Sequence, residues 1–423
     1  MSIILTDKSN ILMTLKNNKI KLATNNTCTG CMACVDSCTK NALTASIGKD
    51  GFFHIILNKT VCNQCGSCTK TCPVITYNKP AQANNNPRPF AAWSKSEEVR
   101  FLSASGGAFA EFALQILSEG GIAIGATLKD NKVYHILIDK KEDLVLLQNS
   151  KYIQSNATGI YILAKKYLKE GKKVLFSGTP CQVAGLYGFL GAITYSELLV
   201  TAEVICHGVP SEMIINGHLK INHAEKILHF RDKDQGHAKS YRTSLQKLNR
   251  TFSPIKTKGR DAFYSSFFSD SVLRNSCYNC KFSTLPRVAD LSLGDYWGCE
   301  EWSNEKEKGI SLVLVNNKNG TDLLIKTKNL INVETEWEKC LPKNSRIYTG
   351  YNLKQYLPSR LLFNWFCHKP ESKHVRQLIN LLPSKIISWM LPFKLVNKII
   401  SFLQIQTMRR KLKNQINAFR NEE

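Results

Sequence analysis

The chain of 423 residues contains no apolar run long enough to cross a bilayer. A membrane-spanning helix needs about 20 consecutive, mostly apolar residues, and Pro383 and Pro392 interrupt the apolar part of the C-terminal segment. Residues 1–22 alternate polar and apolar side chains and lack the apolar core and cleavage site of a signal peptide. These absences predict a cytoplasmic protein that works in a reducing compartment.

Acidic residues are scarce, since 33 Asp and Glu stand against 57 Lys and Arg and leave a formal net charge of +24. Such a charge attracts acidic proteins, phospholipids or charged metabolites. Nucleic acid is not an expected partner, because no helix-turn-helix, zinc-finger or RNP-type pattern concentrates the basic residues. Apolar spacing over 394–404 predicts a basic amphipathic helix. This helix could dock on protein or lie peripherally on the inner face of an anionic membrane, and the sequence leaves both open.

No C-x3-C-x2-C run occurs, which disfavours a radical-SAM enzyme, but cysteine itself is abundant at 15 residues. Without an export signal, cysteines favour metal binding over disulfides. Eight of them form two matched C-x2-C-x2-C-x3-C runs, and Pro73 follows the second. Zinc prefers two separated ligand pairs, whereas these runs are typical of two [4Fe-4S] clusters in which the last cysteine of each run binds the other run's cluster. The predicted ligands are Cys28, Cys31, Cys34 and Cys72 for one cluster and Cys62, Cys65, Cys68 and Cys38 for the other, which indicates single-electron transfer.

The remaining pattern predicts an α/β domain behind this cysteine-rich segment. Helical spacing over 109–117 and 160–168 alternates with apolar strands at 122–126, 173–176 and 198–205, which is typical of a largely parallel sheet. Ligands of such sheets bind beyond the carboxyl ends of the strands. The predicted organisation is an α+β ferredoxin-like module at 20–77, a linker at 78–89, the α/β domain at 90–345 and a basic helical extension at 346–423.

Four further cysteines are candidates for chemistry in the α/β domain. Cys181 and Cys206 follow predicted strands, and Cys277 and Cys280 form a C-x2-C loop. Together they would complete a third [4Fe-4S] site. Buried structural thiols or a redox-active pair also fit the spacing.

Several motifs of the α/β domain occur in the order seen in one known family. They are Ser105-Gly106-Gly107, Lys151-Tyr152-Ile153-Gln154-Ser155, Phe176-Ser177-Gly178-Thr179-Pro180-Cys181-Gln182-Val183-Ala184-Gly185-Leu186, Cys206-His207-Gly208-Val209-Pro210-Ser211, Phe230-Arg231-Asp232-Lys233 and Ala289-Asp290-Leu291-Ser292-Leu293-Gly294-Asp295-Tyr296-Trp297-Gly298. From about residue 90 to residue 341 the chain resembles the coenzyme F420 hydrogenase/dehydrogenase beta-subunit family, in which a ferredoxin module is a common companion. The resemblance implies FAD beside iron–sulfur clusters and strengthens the prediction of the third cluster. One departure is His237, which follows Gly236 where the family often has a Gly-Trp pair.

The resemblance and the residue types also suggest which side chains serve the cofactors. FAD can exchange hydride with a deazaflavin or a nicotinamide and pass single electrons to clusters. His207 is the catalytic candidate, either as a proton relay or as a neighbour that tunes the cluster. Cys299 is a substitute cluster ligand, and Cys340 and Cys367 are interpreted as ordinary thiols. The candidate contacts to FAD or to the hydride carrier are Ser105, Gly106, Gly107, Lys151, Thr179, Gln182 and Arg231.

The expected function is an iron–sulfur flavoprotein oxidoreductase. It would pass electrons between an F420-like or other hydride carrier and [4Fe-4S] clusters, with a redox partner protein or complex subunits at the other end. Two alternatives stay open: an electron-transfer subunit of a larger complex without its own small-molecule substrate, and a reductase of a glycan or other metabolite intermediate.

Overall fold

The structure is a computed structural model that describes residues 20–76, 86–191, 197–254, 261–268, 270, 272–297, 300–341 and 344–347. All of these residues belong to one compact unit within 1–368. The predicted helical extension beyond residue 347, most of the predicted linker, Cys299 and Cys367 lie outside the described residues. In the described part of the chain, no helix is long and apolar enough to cross a membrane.

The elements of the described ranges follow one another closely along the chain. The helices are α1 (Ala33–Asp36), α2 (Ser67–Thr71), α3 (Pro73–Thr76), α4 (Glu97–Leu102), α5 (Ala108–Ser118), α6 (Leu144–Leu147), α7 (Ile160–Lys169), α8 (Pro180–Leu190), α9 (Glu212–Asn222), α10 (Ala262–Phe268), α11 (Ser303–Lys306), α12 (Lys318–Lys326) and α13 (Trp337–Cys340). The strands are β1 (Leu43–Ile47), β2 (Phe53–Leu57), β3 (Arg88–Ser94), β4 (Ile122–Lys129), β5 (Lys132–Ile138), β6 (Ser155–Asn156), β7 (Val174–Gly178), β8 (Leu199–Val204), β9 (Lys226–His229), β10 (Ser244–Lys247), β11 (Arg250–Phe252), β12 (Leu291–Asp295), β13 (Ser311–Val315) and β14 (Leu330–Glu334).

Nine strands form one large sheet in the order β14-β3-β13-β12-β8-β7-β4-β5-β6. Its centre, β12-β8-β7-β4, is parallel. On β7, Val174 and Phe176 pack into a core with α7 and α8, whereas Leu175 packs into a second core with α5 and α12. Successive side chains of a strand point to opposite faces, so helices cover both faces of the sheet, and the predicted α/β fold is confirmed in its main lines.

The sheet is mixed because the strands on both sides of its centre turn back on themselves. β5 pairs antiparallel with β4 through a two-residue turn at Asp130 and Asn131, whose φ angles are 51° and 61°. Positive φ at both positions is the conformation of a type I′ hairpin. On the other side, β13 and then β3 and β14 continue the sheet in antiparallel pairs. β3 begins at Arg88, inside the predicted linker.

The cysteine-rich segment folds around the β1–β2 hairpin, in which Leu43 pairs with Leu57. Hydrogen bonds to the backbone attach this segment to the α/β domain. The Asp36 carboxylate accepts from the N–H groups of Gly159 at 2.6 Å and Tyr161 at 3.1 Å, and so satisfies free donors at the start of α7. These bonds fix the segment against one face of the large sheet.

Candidate redox site

A cavity of about 390 Å³ lies at the carboxyl ends of the central parallel strands. Gly178 of β7, Val204 of β8 and Asp295 of β12 are the last residues of their strands, and all three line the cavity. The loop that precedes α5 lines it as well. Ligands of parallel sheets bind at this end of the strands, so the topology marks the cavity as a binding site.

The four cysteines of the predicted third cluster converge beside this cavity. Cys181 and Cys206 line it, and Val209 of the Cys206 loop donates its N–H to Cys277 Sγ at 3.4 Å. Burial raises the pKa of Cys181 to about 12, and repulsion from Cys280 and Cys277 adds to the shift. Burial also raises the pKa of Cys206, with Cys277, Cys181 and Cys280 as the next causes. Thiols close enough to raise one another's pKa are suited to share a cationic group that deprotonates them.

The N-terminal cysteines of the two runs lie close to one another. Burial raises the pKa of Cys34 to about 12, and Cys28 and Cys72, from different runs, are the next causes. Cys38 packs against the small core formed by Cys34, Leu43 and Cys68, which again joins the two runs. The assignment of individual ligands to one cluster or the other stays a prediction.

The first N-terminal group adjoins the cysteines of the α/β domain. Burial raises the pKa of Cys31, and both Cys34 and Cys181 contribute to the rise. Gly185, one turn beyond Cys181 in α8, faces Cys31, because a Cβ atom there would lie 3.2 Å from Cys31 Sγ. The hydroxyl of Tyr161 donates to the carbonyl oxygen of Cys31 at 2.7 Å. Cys181 and Gly185, four residues apart, share one face of α8, so the two cysteine groups meet along that face.

Within the described ranges, no three His, Cys, Asp or Glu side chains are arranged to hold a single metal ion. In a [4Fe-4S] cube each cysteine binds a different iron atom, so the four sulfurs lie farther apart than around one ion. The absence of a single-ion site among these residues therefore does not bear on the predicted clusters.

His207 is held at the cavity wall by a carboxylate. Its Nε2 lies 2.6 Å from Asp270 Oδ1, and its ring packs against Phe267 and Phe268. Cys206 precedes it in the chain. Because a carboxylate accepts hydrogen bonds, Nε2 is the donor in this contact, and Nδ1 is the other polar atom of the ring.

Lys151 brings a positive charge to the cavity wall without a carboxylate neighbour in the described part of the chain. Its Nζ donates to the carbonyl oxygens of Gln148 at 2.6 Å and Leu146 at 3.1 Å. Burial of the ammonium group lowers its pKa to about 7. His135 also lines the cavity, and burial lowers its pKa to about 4 although Nε2 lies 3.0 Å from the carbonyl oxygen of Ser177. Its Nδ1 has no hydrogen-bond partner among the described residues. This wall of the cavity therefore contains the Lys151 ammonium group without a carboxylate partner and the His135 Nδ1 atom without a hydrogen-bond partner among the described residues.

Arg231 supports the cavity from behind and does not line it. It is 2% exposed and donates to Asp295 Oδ2 at 2.9 Å and to the Tyr152 hydroxyl at 3.1 Å. Burial opposes ionisation of Asp295, yet the charges of Arg231 and then His237 hold its pKa down at about 2. A direct contact between Arg231 and a phosphate stays a prediction, whereas its support of Asp295 and Tyr152 is visible in the structure.

The loop before α5 is fixed by a buried lysine. Lys233 Nζ donates to the carbonyl oxygens of Arg100 at 2.7 Å, Ser105 at 3.0 Å and Ser103 at 3.2 Å. Burial lowers the pKa of Lys233 to about 7. Gly107, with a φ of 90°, then directs the chain into α5. Ser103, Ser105 and Gly107 line the cavity, so Lys233 orders the part of the wall that the sequence assigns to the cofactor.

The other predicted cofactor contacts differ in position. Gly106 lies behind the loop and does not line the cavity, because its N–H donates to Ser311 Oγ at 3.0 Å. Thr179 and Gln182 do line it and form the cap at the start of α8, with Gln182 Oε1 accepting from the Thr179 N–H at 2.9 Å. Thr179 Oγ1 also lies 3.1 Å from Cys181 Sγ. Both side chains therefore position Cys181 as well as the cavity wall.

Sequence reasoning missed most of the aromatic side of the cavity. Tyr241, Phe267, Phe268 and Trp297 line it, and His237 stacks on Trp297 with ring centroids 5.2 Å apart. His237, which stands where the family often has tryptophan, thus still supplies a flat ring beside Trp297. The aromatic density of α10, which contains Phe267 and Phe268, was the available signal.

Arg274 joins the loops that carry two of the cysteine groups. It is 2% exposed and donates to the carbonyl oxygens of Cys28 at 2.7 Å and Phe53 at 2.8 Å and to Gln154 Oε1 at 3.0 Å. Its own carbonyl oxygen accepts from the N–H of Cys277 at 2.9 Å. One guanidinium group therefore connects the cysteine-rich segment, a cavity loop and the C-x2-C loop.

Replacing Arg274 with lysine is expected to loosen the cysteine-rich segment. A single ammonium group cannot reach three acceptors in this planar arrangement, and unsatisfied buried acceptors cost about 1–3 kcal/mol each. Hydrogen exchange should rise in residues 28–57 and remain unchanged in β7 and β8. Arg250→Lys, at an exposed arginine, is the control, and equal exchange in the two variants would contradict this role of Arg274.

Comparisons with known proteins match two parts of the chain to family models. Residues 171–339 match the model for the C terminus of the coenzyme F420 hydrogenase/dehydrogenase beta subunit, and residues 27–75 match the 4Fe-4S dicluster domain, which covers both N-terminal cysteine runs. No curated protein matches the chain. A chain of the xenon-derivatised F420-reducing [NiFe] hydrogenase complex from Methanosarcina barkeri is similar over 69% of this chain and 94% of its own length, with 16% identity and a TM-score of 0.44. Residues 171–339 are therefore identified as the C-terminal region of a coenzyme F420 hydrogenase/dehydrogenase beta subunit, and a 4Fe-4S dicluster domain precedes that region in this chain.

Proposed function

We propose that this chain is an iron–sulfur flavoprotein oxidoreductase. Its cavity would bind FAD and admit an F420-like deazaflavin or another hydride carrier, and its cysteine groups would connect that cavity with a redox partner. The observation that carries the proposal is the cavity itself, whose wall combines the unmatched charge of Lys151 with the thiols of Cys181 and Cys206. When bound, FAD supplies the conversion between hydride and single electrons, and clusters supply single-electron transfer.

The cavity residues suit a dinucleotide. A volume of about 390 Å³ falls in the range of about 300–1,000 Å³ that is usual for small-molecule sites. Lys151 would meet a phosphate as a charge partner. The N-terminus of α5, after Gly107, adds backbone N–H groups and a positive helix end on the same cavity. Tyr241 and Trp297 provide flat apolar surface for a ring system.

The third cluster is proposed at Cys181, Cys206, Cys277 and Cys280. Each of these thiols is half-buried, and burial raises the pKa of Cys277 to about 11. Iron binds thiolates, so cluster assembly would release the protons that burial otherwise retains. The Thr179 hydroxyl, 3.1 Å from Cys181 Sγ, would then donate a hydrogen bond to a ligand sulfur, a contact that tunes cluster potentials.

The cysteine groups form a series from the cavity to the surface. Cys181 lies at the cavity, and Cys31 is its neighbour at the same face of α8. Cys34 of the same N-terminal group interacts with Cys68 of the other, and Cys65 of that second group is exposed. This order supports an electron path with its outlet at Cys65.

His207 is the proposed proton carrier of the cavity. Because Nε2 is bound to Asp270, Nδ1 is the atom that would take or give the proton that accompanies hydride exchange. Asp270 would orient the ring through this contact. Cytoplasmic placement stays a prediction, and so does contact of the basic tail with an anionic membrane, since that tail lies outside the described residues.

Anaerobic reconstitution followed by iron, sulfide and flavin analysis tests the proposal. Three cubes and one flavin predict about twelve irons, about twelve sulfides and about one FAD per chain. About eight irons without flavin would leave a dicluster domain fused to a binding domain and would contradict the catalytic proposal. About eight irons with one FAD would support the proposed flavin site and contradict the proposed third cluster.

A further inference from the structure

Exposed lysines flank the exposed cysteine of the cysteine-rich segment on both sides along the chain. Cys65 is exposed, and Lys70 is the exposed basic residue of α2, the helix that begins two residues after Cys65. Lys21 lies beside α2, where its backbone N–H donates to Thr69 Oγ1 at 2.7 Å. The residues of this group, here called the outer lysine face, are Lys21, Lys40, Lys59, Val61, Cys65 and Lys70, and all of them are exposed.

The lysines at the other end of this face belong to two neighbouring turns. Lys40 follows Cys38, and Lys59 precedes Cys62. The two turns are joined by a hydrogen bond from the N–H of Asn58 to the carbonyl oxygen of Ala42 at 2.8 Å. Lysines therefore flank the second cysteine group from both runs.

The acidic residues of the segment lie elsewhere. Residues 20–76 contain two, Asp36 and Asp50. Asp36 binds the start of α7. The carboxylate oxygen Oδ1 of Asp50 lies 2.9 Å from His54 Nε2. The backbone carbonyl oxygen of Asp50 accepts a hydrogen bond from the Ser211 hydroxyl of the α/β domain. Both carboxylates are thus engaged away from the outer lysine face, which leaves its positive charge uncompensated within the segment.

We propose that the outer lysine face docks an acidic one-electron carrier protein. Uniform positive charge around an exposed redox group steers an acidic partner and orients it on encounter. Val61, 47% exposed, adds the apolar contact that transient interfaces place at their centre. In each encounter the reduced chain would lose one electron and the carrier would gain one. The inference rests on the second N-terminal cluster of the proposed path and does not require FAD.

The test uses the reconstituted full chain, reduced with dithionite and freed of excess reductant, mixed by stopped flow with an oxidised acidic flavodoxin. The double variant Lys59→Glu/Lys70→Glu reverses charge on the outer lysine face. Lys169→Glu/Lys328→Glu makes the same change of net charge at exposed lysines outside the segment. Iron content of each protein shows that the clusters are intact.

The second-order rate constant at low ionic strength should fall about tenfold or more in the face variant and change less than about twofold in the control variant. Added salt should slow the wild type towards the face variant. Equal rates in the two variants, or an equally fast reaction with a basic carrier such as cytochrome c, would overturn the proposal. Because dithionite supplies the electrons, failure of the flavin proposal would appear in the FAD count and leave this result interpretable.

Discussion

Replacing Cys277 and Cys280 together with alanine is expected to remove about four of about twelve irons per chain and to stop electron transfer from the cavity to the N-terminal clusters. The two cysteines contribute half of the proposed ligands of the third cluster, and one substitute thiol cannot replace both. Electron paramagnetic resonance of the reduced variant should retain the signals of the N-terminal clusters, because their eight cysteines are unchanged.

Cys340→Ala is the matched control for this variant. Cys340 is buried, and burial raises its pKa to about 12, as for Cys181. It belongs to none of the three cysteine groups. Loss of iron in the control as well would indicate general instability, and an iron count unchanged in the double variant would show that Cys277 and Cys280 are not ligands.

The sequence indicated the cysteine chemistry more completely than the cavity around it. Ligand spacing is a local property, so the two N-terminal runs were recognisable without a fold, and residues 27–75 match the 4Fe-4S dicluster domain. Cys181 and Cys206 were recognisable because each follows a short apolar strand, and the parallel strands bring them to one end of the sheet. The convergence of Cys277 on them depends on tertiary structure that spacing cannot show.

The direction of the strands and the partners of the charged side chains were harder to predict from the sequence. The turn at Asp130 and Asn131 reverses the chain, but alternating helices and strands pointed to parallel pairing. Arg231 has the residue type of a phosphate contact, yet its guanidinium is committed to Asp295 and Tyr152. Lys151 also has that residue type, and only the fold shows that no carboxylate of the described chain compensates it. The residue type therefore suggests that a side chain could contact a phosphate, and the charges around that side chain decide which candidate is available to do so.

Replacing Lys151 with methionine is expected to weaken FAD binding about ten- to hundredfold, which corresponds to about 1.5–3 kcal/mol for a hydrogen bond to a charged group. Methionine keeps an unbranched apolar stem and removes the charge. Binding would be measured by quenching of flavin fluorescence on protein that contains its clusters but no flavin. Lys169→Met, at an exposed lysine outside the cavity, should bind FAD as the wild type does.

The pH dependence of binding separates this role from a loss of packing. In the free protein burial holds the pKa of Lys151 at about 7, and a bound phosphate would raise it. Above pH 7 the free site must therefore gain a proton to bind, so affinity should fall by up to about tenfold per pH unit in the wild type and change little with pH in Lys151→Met. The lowered pKa of Lys151 also means that the unfolded chain binds more protons than the folded chain between about pH 7 and 10. The free energy of unfolding of the flavin-free wild type should therefore rise across that window. The Lys151→Met variant should not show this rise. Parallel pH profiles for the two proteins would show that the Lys151 charge does not contact the flavin.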